Sequence, residues 1–140
     1  MSKRFFPDSM PPPMADATTL PWWNAAAEHR LVVQRCASCE HTRLPPAPVC
    51  PECLGKQLAP HAVSGRATVL TYTLNHQPWV PAPDHPYAIA IVEVDEQPGL
   101  RLMTNIVNCP VEDVRIGMPV QVVFEAHDDV HIPLFEPAAS

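Results

Sequence analysis

Four of the chain's five cysteines stand in two Cys-x-x-Cys pairs, "CASC" at Cys36 and Cys39 and "CPEC" at Cys50 and Cys53, with ten residues between the pairs. Each pair can fold into a tight knuckle. Two knuckles turned face to face by a hairpin make the tetrahedral sulfur cage in which proteins hold structural zinc. The spacing reads as a Zn2+ site with Cys36, Cys39, Cys50 and Cys53 as ligands. Iron takes the same four-sulfur geometry, and the spacing does not separate the two metals. A dithiol oxidoreductase would need one pair at a helix N-terminus within an alternating strand-helix chain, and no such pattern is visible. Four protein thiolates leave no open position for water or substrate, so the centre is expected to hold shape and do no chemistry. One irregularity marks the set: Gly55 stands just after the second pair, whereas Glu40-His41 follow the first.

The other reactive side chains make weaker patterns. Cys109, followed by Pro110, reads as a small buried hydrophobe. His127 and His131 flank the acidic pair Asp128-Asp129, and His76 and His85 bracket a proline-rich loop, but neither couple has the partners a metal or a catalytic triad needs. The chain contains no glycine-rich phosphate loop, no Gly-x-Ser-x-Gly elbow and no metalloprotease helix.

Charge narrows the classes further. The formal net charge is -6, and from Arg30 to Arg66 five basic residues face two acids, whereas from Ala67 onward two basic residues face ten acids. An acidic C-terminal half repels polyanions, which argues against nucleic acid as a partner. No apolar run long enough to span a bilayer occurs, and "MSKRFFPDSMPPPM" lacks the apolar core of a secretory signal. A cytoplasmic protein without a membrane partner is the expectation, and reduced cytosolic thiols rank a disulfide staple behind the metal and redox readings.

These residues need a frame. Residues 1–17 carry Pro7, Pro11, Pro12 and Pro13 without apolar period and read as a flexible arm, mobile or ordered by a partner. "TTLPWWNAAAEHR" offers a Thr cap, an early Pro21 and an alanine run, the marks of a short helix within residues 18–30. The span 31–62 contains the strand "LVVQRC" and both cysteine pairs. From residue 63 to 137 the texture is β: "RATVLTYTLNH", "YAIAIVEVDE", "LRLMTNIVN", "VQVVFEAH" and "VHIPLFEP" form five strands, with one helical turn in "CPVEDVRIGMPV" before the fourth. Five strands in so short a span predict a small barrel of the OB type, giving a mainly β chain overall.

Three indoles stand out. Trp22 and Trp23 are adjacent at the helix start, about 100° apart on its surface, so both are not expected to enter one small core. Trp79 sits among Pro78, Pro81, Pro83 and Pro86; the loop is either a stiff surface connection or a preshaped lip presenting an aromatic ring. Trp22, Trp23 and Trp79 are the candidate partner-binding residues.

The order of these parts, with "SGRATV" after the cysteine segment and "VRIGMPV" before the fourth strand as its most specific pieces, closely resembles the family of acyl-CoA-associated proteins built from a rubredoxin-like zinc ribbon fused to an OB fold. The resemblance spans residues 20–137. It implies a small accessory subunit without catalytic residues of its own, docked on a thiolase-like acyltransferase or aldolase and supporting acyl-CoA or ketone chemistry by assembly and by shaping the substrate path. Two other readings stand beside it: a stand-alone acyl-CoA-binding module, in which Arg30, Arg35, Arg43, Lys56 or Arg66 would meet phosphates, and an OB-fold binder of single-stranded nucleic acid, which the acidic barrel disfavours.

Overall fold

The computed structural model describes residues 5–7, 10–77 and 86–138. Trp79, His85 and the rest of the 78–85 segment lie outside the described residues. Helix α1 covers Leu20–Ala27, with Pro21 in the first turn, where its missing N–H breaks no helical bond, and buries Ala25 and Ala26. Thr19 precedes the helix as expected, but its side chain does not cap it. The Thr19 hydroxyl and N–H both donate to Asp16 Oδ1, at 3.0 and 2.8 Å, so the carboxylate organises the entry turn. At the other end His29 turns left-handed at φ 58° and lies over the Phe124 ring, 5.4 Å between centroids.

Three antiparallel strands follow, β1 (Val32–Cys36), β2 (Thr42–Arg43) and β3 (Leu58–Ala62), in the order β2-β1-β3. Sequence reading found β1 and missed the other two. Strand β2 is two residues long, and β3 carries Pro60 and shows no alternation, with Leu58 half-buried and the rest exposed.

The remaining strands are β4 (Arg66–Asn75), β5 (Tyr87–Val94), β6 (Arg101–Ile106), β7 (Pro119–His127) and β8 (Val130–Pro137), closed into a barrel in the order β4-β5-β6-β8-β7. A 3-10 turn at Val111–Asp113 precedes β7. Closure removes every free edge. Period-two alternation buries Ala88, Ala90, Val92 and Val94 of β5; the first three meet Val69, Val120 and Phe135 in the barrel core, and Val94 lies at the joint with the ribbon. The tight hairpin at Asp128-Asp129 is as expected: His127 pairs with Val130, and Asp128 takes φ 53°.

Two glycines explain the specific sequence pieces on either side of this barrel. Gly65, in "SGRATV", has φ 87°, accepts a bond from the Val122 N–H at 2.8 Å, and leaves room where a Cβ would stand 2.5 Å from Val122 Cγ1. It lets β7 approach the start of β4 closely enough to close the barrel. Gly117, in "VRIGMPV", has φ 89° and donates its N–H to the Val69 carbonyl beside the β4 irregularity at Val69/Thr71.

Ribbon and barrel share side chains at their joint. Val33 of β1 packs with Val94 and Leu100 of the barrel, and Leu31 belongs to the main barrel core. The Thr42 hydroxyl donates to Gln97 Oε1 at 2.6 Å across the same joint. The Pro-rich arm also has contacts in its described residues: the Phe5 and Phe6 N–H groups donate to the Glu125 carboxylate, and Phe5 meets Tyr87 edge-on. Among the described residues, no helix is long and apolar enough to cross a membrane.

Candidate metal centre

Each cysteine pair closes on itself by the same pattern of backbone bonds. The Glu40 N–H returns to the Cys36 carbonyl and the Leu54 N–H to the Cys50 carbonyl, both at 2.9 Å; the Cys36 N–H reaches the His41 carbonyl and the Cys50 N–H that of Gly55, again both at 2.9 Å. Each knuckle therefore needs a left-handed residue directly after its second cysteine. Glu40 at φ 65° and Leu54 at φ 63° take that position without being glycine. The irregularity seen in the sequence thus leaves the knuckle fold unchanged, and Gly55 has another reason to be small. A Cβ there would stand 3.2 Å from Cys53 Sγ, and the Gly55 N–H donates to that sulfur at 3.4 Å.

The strands bring the knuckles together. β1 ends at Cys36 and β3 begins at Leu58, directly opposite it, so the second knuckle leads back to the first. The four Sγ atoms lie within 4.8 Å of one another, with Cys36–Cys53 and Cys39–Cys50 each at 3.6 Å. A tetrahedron with metal–sulfur bonds of 2.3 Å has sulfur–sulfur edges of about 3.8 Å, so the four thiols fit a four-sulfur metal centre. Cys36 and Cys50 are buried while Cys39 and Cys53 are exposed, which places the cage at the ribbon surface. Among the described residues this is the one group of three or more His, Cys, Asp or Glu side chains placed to share a metal.

Crowding makes the thiols unequal. The Cys39 N–H favours the Cys36 thiolate and draws that thiol down to about 6. For Cys39 the His41 N–H also favours the thiolate, but desolvation and the neighbouring sulfurs outweigh it and push the thiol up to about 12. The Gly55 N–H favours the Cys53 thiolate, yet the Cys36 sulfur leads the opposing effects and the thiol is raised. Four thiolates this close repel one another, and only a cation among them can hold all four ionised.

Cys109 stands apart from the cage, half-buried against the barrel core, its thiol raised by burial and by Asp113. Of the indoles, Trp22 and Trp23 meet edge-on at 6.5 Å and both are half-buried. Trp22 packs partly on the barrel core and partly lines a cavity of about 240 Å³ on the ribbon. That cavity was not anticipated from the sequence. Its residues come from segments far apart in the chain, and the packing of α1, the β1–β3 pairing and the course of residues 46–48 bring them together.

Two family models match the chain: one described as the rubredoxin-like zinc ribbon domain of ChsH2, over residues 23–59, and one as the C-terminal OB-fold domain of ChsH2, over residues 60–125. The chain is 41% identical over 118 residues to a probable enoyl-CoA hydratase alpha subunit of Thermomonospora curvata, covering 84% of this chain and 36% of that protein. It is 36% identical over 105 residues to a DUF35 domain-containing scaffold protein of Methanocaldococcus jannaschii, covering 74% of this chain and 73% of that one. The chain thus spans about a third of the length of the hydratase subunit and nearly three quarters of the scaffold. A solved structure described as "Ltp2-ChsH2(DUF35) aldolase" contains a chain that superposes with a TM-score of 0.83 at 37% identity, covering 91% of this chain and all of that one.

Proposed function

The chain belongs to the ChsH2 and DUF35 family, in which a rubredoxin-like zinc ribbon is joined to an OB fold, and from that premise we propose that it is a noncatalytic accessory subunit docked on a thiolase-like aldolase or acyltransferase. The observation that carries this reading is the match, over the whole length of the neighbour, to a chain from an Ltp2-ChsH2(DUF35) aldolase. The scaffold relative supports the same role. Because the chain spans only 36% of the hydratase alpha subunit, hydratase activity is not carried over with the likeness.

In this reading the partner supplies the acyl-CoA chemistry and this chain supplies rigid surface. Cys36, Cys39, Cys50 and Cys53 would hold Zn2+, which supplies a fixed, redox-inert centre of charge that locks the two knuckles. The closed barrel provides the rest of the platform. Trp23, half-buried and not part of the barrel cluster, is the cleaner candidate anchor of the helical pair, because Trp22 is also tied to the core.

Co-expression with a thiolase-like aldolase or acyltransferase subunit tests the role. The two chains should co-elute, the isolated chain should turn over no acyl-CoA thioester, and Trp23→Ala should weaken assembly by about thirtyfold, the usual loss on truncating a buried indole anchor. Turnover by the isolated chain that disappears in Cys109→Ser would overturn the accessory reading.

A further inference from the structure

We propose that the cavity on the outer face of the ribbon sheet is a docking slot for the partner enzyme, receiving one of its apolar side chains together with an adjacent carboxylate. This rests on the accessory reading above and names the surface and the chemistry that would serve it. The register pairs Gln34 with Pro60, so Val32, Gln34 and Pro60 share the face that forms the floor, opposite the face from which Val33 reaches the barrel. Trp22 forms part of one wall, Pro46 part of another, and Lys56 also lines the slot. The walls are preformed: the Gln34 amide donates to the Ala47 carbonyl at 2.7 Å and accepts from the Ala47 N–H at 3.0 Å, which pins the 46–48 segment over the floor. Little ordering cost remains on binding.

Size and polarity decide the occupant. At about 240 Å³ the slot is smaller than sites that enclose a small molecule, which run from about 300 to 1,000 Å³. It has the volume of a side chain or two from a protein surface. The ladder bonds Ala37 N–H to Gln57 and Val63 N–H to Leu31 set the alternation, so the backbone groups of Leu58, Pro60 and Ala62 face away from β1. Pro60 has no N–H to offer, and the Leu58 N–H is taken by the Lys56 carbonyl. Of these three positions only Ala62 keeps an N–H for an added strand, too few donors for a ladder, and recognition falls to side chains. Arg30 and Arg35 already pair with Glu28 and Glu40, whereas Lys56 has no ion pair among the described residues. A slot of prolines, alanines and one indole, with the Gln34 amide already occupied by Ala47 and Lys56 as its one charged side chain, matches an apolar residue flanked by Asp or Glu.

The test is to pan a random linear peptide library against the full metal-loaded chain, with Trp23→Phe and Trp79→Phe in place so that Trp22 alone reports. The enriched peptides should pair an aromatic or aliphatic residue with a nearby acid, shift Trp22 emission, and lose about tenfold in affinity against Lys56→Glu, with metal content unchanged. No enrichment, enrichment without acids, or equal binding to Lys56→Glu would overturn the slot, as would displacement of the peptides by coenzyme A alone. Failure here leaves co-elution with the thiolase-like subunit standing. Lost co-elution with intact peptide binding would instead strike the accessory reading.

Discussion

In the barrel, Val69, Val92, Val94, Val120 and Phe135 are buried to 1% exposure or less, whereas in the ribbon the large side chains buried that deeply, among the described residues, are Val33, Cys36 and Cys50. Two of those three are sulfur ligands of the candidate metal, and the third packs against the barrel. Burial of apolar surface suffices to hold the five closed strands together. Among the described residues the ribbon has a two-residue strand, an exposed β3 and no separate apolar core, so metal ligation and the joint at Val33 are the expected sources of its order. One chain thus joins a region built to fold by exclusion of water to a region whose four clustered thiols suit folding by coordination.

The largest effect expected from breaking this contrast is in the cage. Cys50→Ser should abolish stoichiometric metal and unfold β1 to β3, and Cys39→Ser at the exposed corner should do the same less completely; elemental analysis and residue-resolved amide exchange measure both. Equal metal content in Cys50→Ser and the native chain would show that the cage is held otherwise. Next comes the barrel seam. Gly65→Val puts a side chain at a left-handed backbone position 2.5 Å from Val122 Cγ1 and should cost about 3 kcal/mol in a denaturant titration. Metal content should stay whole, because the seam and the cage share no atoms.

Val33→Ala probes the joint. It should cost about 2 kcal/mol by cavity formation and, unlike the other variants, should weaken ribbon and barrel protection together. A loss confined to one region would mean that the joint carries no coupling. The smallest effect is at the entry to α1. Bonds from the Thr19 N–H and hydroxyl hold the Asp16 carboxyl below its ordinary value. A lowered folded pKa stabilises above the unfolded value and is lost as pH falls through the folded one, so the entry turn should loosen only at acid pH. Carboxyl NMR shifts report it, and an Asp16 titration at the model-peptide value would remove the effect.

The same contrast governs what the sequence revealed. Barrel strands were legible because apolar burial leaves alternation, as along Tyr87–Val94, and because Gly65 and Gly117 mark backbone turns that other residues resist. The cysteine spacing was legible because ligand number and geometry are written in residue type. What escaped was set by neighbours distant in the chain. β3 is a strand because β1 lies beside it, the left-handed positions fell on Glu40 and Leu54 where pattern suggested glycine, and Thr19 turned to Asp16 where propensity suggested a cap. The slot depends on Gln34 gripping Ala47, thirteen residues away, which no local period encodes.

Hydrogen exchange on the intact chain before and after a strong chelator tests the division most directly. The account predicts that chelation releases the amides of Val32–Cys36, Thr42–Arg43 and Leu58–Ala62 while those of β4 to β8 keep most of their protection. Protection lost evenly along the chain, or a metal-free ribbon protected as before, would contradict it.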